Sequence, residues 1–327
     1  MRILYAIQGT GNGHVSRARE VIPHLQKHGS VDVLLSGTQN EVGLEQEIKY
    51  RMSGMGFVFG KSGGIDIGAT WRGMHTRQLI SDIKNLPVES YDLVISDYEP
   101  ISAWACKFRK KKCVALSHQC AYESTFTPQL NGFHWGKMIL EHYAPTKEAV
   151  GFHFQAYDHF IHTPIIRKEI RDLSPEKLGH YTVYLPAYSD ALIEKLLSFH
   201  TSVKWEVFSK HAKNEYRKDH IHIVPISNQK FQKSLSQCEG FLTGGGFEGP
   251  AESLFLGKKL LSVPLKNQYE QQCNSLALEK MGIEIIWKES EFEKKLARWI
   301  KSDNRIEVDY PDQTAEIVAD LIRKHAV

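Results

Sequence analysis

The feature that most restricts the fold of this 327-residue chain is the alternation of short apolar runs with amphipathic stretches. In the first half the pattern predicts strands at 2–7, 31–35, 92–96 and 112–117, and helices at 15–28 and 101–110. Strands that alternate with helices build βαβ units, which form a parallel sheet with helices on its faces. The first half therefore predicts a doubly wound α/β domain.

The second half shows the same alternation. Strands are predicted at 181–185, 203–208, 220–224, 240–243, 259–263 and 284–287, and helices at 190–199, 249–256, 270–281 and 311–324. Between the halves, the segment 160–175 contains Pro164 and Pro175 and is the predicted linker. The pattern predicts two Rossmann-like domains, 1–163 and 164–327, facing a central cleft. Ligands of such sheets bind beyond the carboxyl ends of the strands.

Composition narrows the class of protein. Hydrophobic residues make up 42% and charged residues 24% of the chain, which excludes a disordered or fibrous protein. No run of about 18 apolar residues occurs, so no membrane-spanning helix is expected. The net charge of +3 does not call for a nucleic-acid partner. The five cysteines lack metal-ligand spacing, which favours free thiols. The apolar run at the start of the sequence is too short for a secretory signal. Both observations predict a cytoplasmic location.

A glycine-rich turn follows the first predicted strand. Gly11 and Gly13 let backbone amides approach an anion or a sugar closely, and the next helix begins there with its positive dipole end. The turn lacks the Gly-Lys-Ser/Thr of a phosphate-binding P-loop and the spacing of a dinucleotide fingerprint. His14, at its far side, suits a general base. The alternative is a histidine that only caps or packs.

Two further strand ends carry polar side chains. Asp97 and Glu99 follow the strand at 92–96, and His118 follows the strand at 112–117. Asp97 is placed to orient a histidine base. The alternatives are a helix cap made by Asp97 or Glu99, and a metal site at the Asp-x-Glu spacing. Glu99 and His118 are candidate residues of an acceptor cleft, and packing of His118 is the alternative.

The most informative segment follows the predicted strand at 240–243. Its triple-glycine turn places exposed amides at a helix start, which suits a diphosphate, and Glu252 in the following helix suits two ribose hydroxyls. The next strand–helix connection offers carboxylate and amide groups to sugar hydroxyls, or is an ordinary polar helix start. The candidate donor-binding residues are Gly11, Gly13, Gly244, Gly245, Gly246, Phe247, Glu252, Glu270, Gln271 and Asn274.

Two stretches fit the sheet pattern poorly. Residues 52–71 are rich in glycine, and residues 122–145 are rich in aromatic side chains. Both are interpreted as irregular loops, either lining the cleft or lying on the surface without a role. The aromatic stretch and the basic run 109–112 are compatible with a lipid-linked or membrane-surface acceptor, and a solvated helix end explains the basic run equally.

These motifs resemble those of glycosyltransferases with the GT-B fold, in particular the MurG-like family 28 and the family 1 UDP-sugar transferases. The first block is Gly-Thr-Gly-Asn-Gly-His at 9–14, and the second is the ordered set at 244–254, 257–259, 263–264, 270–271, 274 and 282. The chain departs from the usual pattern in two places. Lys259 replaces the proline of Gly-Lys-Pro, and Glu270 stands where aspartate is frequent.

The resemblance implies an inverting transferase that moves a sugar from a nucleotide-diphosphate donor to an acceptor hydroxyl. The implied donor is a UDP-sugar. The second domain would hold the donor, His14 would be the base and Asp97 its orienting partner, and the helix 311–324 would cross back onto the first domain. The resemblance implies no metal or other cofactor. It is compatible with association of the protein with the inner face of the membrane. The alternatives are a nucleotide-sugar 2-epimerase or hydrolase of the same fold, and a binding subunit without catalysis.

Overall fold

The computed structural model describes residues 1–37, 44, 46–54 and 76–326. The glycine-rich stretch 52–71 lies almost entirely outside the described residues. The chain divides into two compact units, one of Met1–Arg167 with Tyr310–Val327 and one of Lys168–Asp309. The predicted boundary between 163 and 164 differs from this division by four residues, and the terminal segment belongs with the first unit.

The first unit is built on a seven-stranded sheet with the order β3-β2-β1-β4-β5-β6-β7. Every strand pair in it is parallel. The order changes direction between β1 and β4, which is the switch point where open α/β sheets bind ligands. The strands are β1 Arg2–Gln8, β2 Ser30–Ser36, β3 Ile48–Met52, β4 Leu93–Asp97, β5 Val114–Ser117, β6 Glu148–Phe152 and β7 Ile161–His162.

The second unit has its own seven-stranded sheet, with the order β10-β11-β9-β8-β12-β13-β14. Only β10 runs antiparallel to its neighbour, and the direction of the order changes between β8 and β12. The strands are β8 His180–Tyr184, β9 Lys204–Ser209, β10 Tyr216–Lys218, β11 Ile221–Pro225, β12 Gly240–Thr243, β13 Lys259–Ser262 and β14 Glu284–Ile285. The predicted doubly wound α/β class is confirmed.

Eleven α-helices occur in the described part of the chain. They are α1 Asn12–Gln26, α2 Thr76–Asn85, α3 Pro100–Phe108, α4 Trp135–Tyr143, α5 Lys168–Arg171, α6 Asp190–Leu197, α7 Asn228–Gln237, α8 Glu248–Phe255, α9 Tyr269–Lys280, α10 Phe292–Lys301 and α11 Thr314–His325. None of the helices described is long and apolar enough to cross a bilayer.

The interpretation of 122–145 as irregular loop is wrong for its second half. Trp135–Tyr143 forms α4, and a short 3-10 helix covers Gln119–Glu123. Tyr143 is the only residue of α4 that is buried, while Trp135 and Met138 are exposed. The Lys137–Glu141 ion pair, four positions apart, lies on one face of α4 and has a helical spacing that the aromatic content of the stretch obscured.

Lys259, which stands in place of the family's proline, is buried in the second unit. Its Nζ donates to the hydroxyl of Tyr181 at 2.8 Å and to backbone carbonyls at the end of α10, among them Ser302 at 2.8 Å. Burial lowers the pKa of Lys259, and Arg305 lowers it further. A proline here would leave these helix-end carbonyls without their cationic donor. The departure from the family pattern therefore has a structural role.

Candidate functional site

The turn after β1 places His14 at the carboxyl edge of the first sheet. Gly9 packs against β2, because its amide donates to the Ser36 carbonyl at 2.6 Å and a Cβ on Gly9 would lie 2.9 Å from that oxygen. Gly11 has φ of +97°, a backbone conformation that glycine adopts readily. The chain then enters α1 at Asn12, so His14 and Gly13 lie in its first turn.

Asp97 is the last residue of β4 and meets His14 at this edge. Strand pairing sets Asp97 beside Ile7, near the end of β1, where the turn to α1 begins. The His14 Nδ1 lies 2.7 Å from Asp97 Oδ1. Asp97 is fully buried, whereas 11% of the His14 side chain is exposed. An ionised carboxylate only accepts hydrogen bonds, so Nδ1 carries the proton and Nε2 is left as the basic nitrogen.

Arg17 completes this cluster and was not among the sequence predictions. Its Nε donates to Asp97 Oδ2 at 3.0 Å and its terminal nitrogen donates to Oδ1 at 2.6 Å. Burial raises the pKa of Asp97, but the charges of Arg17 and His14 lower it by more, so the net shift is downward. The signal was available: Arg17 follows His14 by three positions at the start of a predicted helix, and this spacing places two residues on one helical face.

Tyr98 adjoins the cluster in a strained conformation. Its φ is +53°, a value that a non-glycine residue rarely adopts. Its ring lies nearly parallel to the His14 imidazole, with the centroids 6.3 Å apart, and contacts Tyr143 at 4.9 Å. Backbone strain that is retained in a folded protein is typical of functional sites.

The two acceptor candidates are both buried. Glu99 caps α3, because its carboxylate accepts from the amides of Ile101 at 2.9 Å and Ser102 at 2.6 Å. His118 lies against Phe152 and Tyr122, with Nδ1 2.7 Å from the Phe152 carbonyl. The helix-cap interpretation of Glu99 and the packing interpretation of His118 are therefore confirmed. Neither side chain offers surface to a ligand.

The triple-glycine turn of the second unit lies at the switch point of its sheet, between β12 and α8. Gly245 fits tightly against α9, because a Cβ there would lie 2.4 Å from the Gln271 carbonyl oxygen. Asn274 is buried, and its side-chain amide donates to the Gly245 carbonyl at 3.0 Å. Asn274 thus supports the turn from beneath. Gly246 is exposed, and a Cβ at this position would have no described atom within 4 Å.

The remaining donor candidates surround this turn. Phe247 precedes α8, and no side-chain hydrogen bond caps the helix start there. Glu252 lies in α8 and is almost fully buried. Gln271 uses its side-chain oxygen to accept from the Leu265 amide at 3.1 Å, which shapes the neighbouring turn. Glu270 is half-buried in the first turn of α9, and Gly244 lies beside Gln271.

A metal site was one interpretation of the Asp97-x-Glu99 spacing. Within the ranges that the structure describes, no group of at least three His, Cys, Asp or Glu side chains is arranged to hold a metal ion. Asp97 and Glu99 serve instead in an ion pair and a helix cap. The five cysteines are buried, and none of them forms a disulfide bond.

Two α/β units with glycine turns at their switch points, one of them beside a His–Asp pair, are features shared with proteins of the GT-B type. The chain belongs to the glycosyl transferase family 1, whose model matches residues 1–302. A search of curated protein sequences finds no match.

Solved structures resemble the chain over nearly its full length. The glycosyltransferase SnogD from Streptomyces nogalater has a TM-score of 0.55 at 11% identity, with 99% of both chains covered. A UDP-glucosyltransferase from Polygonum tinctorium has a TM-score of 0.59 at 12% identity, covering 99% of this chain and 93% of that one. MurG from Acinetobacter baumannii has a TM-score of 0.52 at 15% identity, covering 99% and 95%. These likenesses show the GT-B fold, and with the family match they bear out the resemblance inferred from the motifs.

Proposed function

We propose that this glycosyltransferase is an inverting enzyme that transfers a sugar from a nucleotide-diphosphate donor, a UDP-sugar, to an acceptor hydroxyl. The observation that carries the proposal is the 2.7 Å contact between His14 Nδ1 and a fully buried Asp97 in a chain of this family. The contact directs the Nδ1 proton toward Asp97, so Nε2 of the partly exposed imidazole is the nitrogen that can take a proton from an acceptor, as a general base must.

The chemistry follows from that base. His14 Nε2 takes the proton of the acceptor hydroxyl, and the acceptor oxygen forms a bond to the anomeric carbon. The bond from that carbon to the donor phosphate breaks at the same time, and its electron pair leaves with the nucleoside diphosphate. A single displacement from the face opposite the leaving group inverts the configuration of the anomeric carbon.

The second unit is the proposed donor site. Backbone amides of Gly246 and Phe247, at the start of α8, would face the diphosphate. Glu252 would accept hydrogen bonds from ribose hydroxyls, and Glu270 with Gln271 would contact the sugar. Asn274 and Gly245 act indirectly, because they hold the glycine turn in place. Amides and the helix dipole can stabilise the departing diphosphate electrostatically, and we propose that no metal is needed.

The reaction is tested by incubating the protein with radiolabelled UDP-sugars, with and without a membrane extract. Label transferred to extract molecules with inverted anomeric configuration is the expected result. An epimerised or hydrolysed nucleotide-sugar without acceptor would identify the epimerase or hydrolase alternative. Binding without turnover would identify the non-catalytic alternative. Either of the last two results contradicts the proposal.

Glu252 provides a separate test of the donor site. We expect Glu252→Gln to weaken UDP binding by roughly ten- to a hundredfold, because each of two hydrogen bonds would fall from about 1.5–3 kcal/mol with a charged acceptor to about 0.5–1.5 kcal/mol with a neutral one. Isothermal titration calorimetry measures the change. Glu289→Gln, at an exposed position of the same unit, is the matched control. An unchanged affinity in a folded Glu252→Gln protein removes Glu252 from the ribose site.

A further inference from the structure

We propose that Arg17 is a positioning residue that holds the Asp97 carboxylate in the one orientation that directs His14 Nδ1–H inward and Nε2 outward. The inference rests on the proposed function, in which His14 is the base. It adds to the expected His–Asp pair a third member that contacts no substrate.

Arg17 makes a bidentate contact with the Asp97 carboxylate. Two nitrogens of the Arg17 guanidinium donate to the two different oxygens of Asp97, at 3.0 and 2.6 Å. A guanidinium is planar and its donors are fixed relative to one another, so this pairing sets the plane of the carboxylate as well as its position. Arg17 is itself buried, and its guanidinium lies over the Phe152 ring at 5.8 Å. The side chain therefore has little freedom to release Asp97.

Asp97 needs a cation because it has no access to solvent. Three side chains of the described residues face it: Arg17 and His14 from α1, and Tyr5 from β1, whose hydroxyl lies 3.4 Å from Oδ2. Arg17 is the one that is always charged. Removing it leaves a buried carboxylate whose remaining neighbours are the His14 imidazole and a weak hydroxyl contact, which favours the protonated form of Asp97. A protonated Asp97 can donate to Nδ1, and this selects the opposite tautomer of His14.

Arg17 also lies close to the imidazole itself. Its terminal nitrogen is 3.1 Å from His14 Nδ1, the same nitrogen that lies 2.7 Å from Asp97 Oδ1. An arginine nitrogen only donates, and Nδ1 already uses its proton toward Asp97, so these two nitrogens do not hydrogen-bond to each other. Arg17 and His14 thus both donate to Oδ1, which aligns the imidazole with the carboxylate that Arg17 holds.

The test compares Arg17→Met and Arg17→Lys with the wild type. Arg323→Met, which removes an exposed arginine paired with Asp320, is the control. The imidazole 15N shifts of His14, assigned from the signal lost in His14→Gln, report its tautomer. Thermal melts and circular dichroism establish that each variant is folded. Calorimetry reports UDP affinity, and rate measurements over a range of pH report kcat and kcat/KM.

We expect a single Nδ1–H tautomer in the wild type and a mixture in Arg17→Met. We expect kcat of Arg17→Met to fall about 100-fold, within the range that general-base catalysis contributes, with UDP affinity within about twofold of wild type. The acid limb of the kcat/KM profile should move to higher pH, because Asp97 now takes up a proton at higher pH than before. Arg17→Lys should recover only part of the rate, because lysine keeps the positive charge but cannot make the bidentate contact of a guanidinium.

An unchanged tautomer in folded Arg17→Met overturns the inference, and so does full recovery of kcat in Arg17→Lys, which keeps the charge and loses the bidentate geometry. So does a loss of rate without a shift of the acid limb, because that pattern indicates a structural role alone. The tautomer measurement needs no substrate. If the tautomer depends on Arg17 but the wild type transfers no sugar, the proposed function fails and the positioning of His14 by Arg17 stands.

Discussion

Replacement of His14 by alanine is expected to lower the rate of sugar transfer by about 10³-fold, because general-base catalysis contributes roughly 10²–10⁴. The acceptor hydroxyl then has no group to take its proton as the bond to the anomeric carbon forms. Affinity for UDP should stay within about twofold of wild type, because the glycine turn that would hold the diphosphate belongs to the other compact unit. Single-turnover kinetics and calorimetry separate the two effects.

His28→Ala is the matched control, because His28 is an exposed histidine shortly after the end of α1. It should leave both the rate and the affinity unchanged. A folded His14→Ala protein that turns over near the wild-type rate would contradict the assignment of the base. An equal loss of rate and of UDP affinity would indicate that His14 binds the donor.

The second large effect is expected at Gly245. An alanine Cβ there would lie 2.4 Å from the Gln271 carbonyl oxygen and 2.8 Å from the Gln271 Cβ. Both neighbours are held by the helix α9, so the turn itself must move, and the hydrogen bond from Asn274 to the Gly245 carbonyl is strained. Overpacking of this kind costs about 1–3 kcal/mol. We expect Gly245→Ala to lower the melting temperature and to weaken UDP binding at least roughly tenfold.

The adjacent glycine supplies a control in the same turn. Gly246→Ala meets no described atom within 4 Å, and the φ of Gly246 lies outside the left-handed region. It should therefore keep the wild-type melting temperature, measured by differential scanning calorimetry. If Gly245→Ala melts at the wild-type temperature and binds UDP as tightly, the turn does not depend on close packing against α9.

Much of each sheet could be predicted because its strands are short apolar runs between helices of ordinary length. The runs at β1, β4, β5, β12 and β13 are buried along nearly their whole length, so they read as strands from composition alone. The strands β3, β6, β7 and β10 were not predicted, and β3 shows why. Its sequence, Ile-Lys-Tyr-Arg-Met, mixes basic and apolar side chains at an edge where one face meets solvent.

The candidate site could be predicted from the sequence only in part. His14 and Asp97 stand at strand ends 83 positions apart, and the parallel arrangement of the sheet predicts that such ends lie at one edge. Asn274 and Gln271 look like ligand groups in the sequence, since both are polar and follow a glycine turn. The structure uses the Asn274 amide to support that turn and the Gln271 side-chain oxygen to hold the Leu265 amide.

Local pattern was sufficient to establish the α/β class, the glycine turns and His14 as a candidate base, because these depend on periodicity and on residues adjacent in the chain. The partners of the polar groups depended on distances between segments far apart in the chain. Lys259 became a buried donor to the end of α10, and Arg17 the partner of Asp97, only when packing removed each from water. A buried polar group must find its partner within hydrogen-bond distance, and only the tertiary structure decides which groups are there.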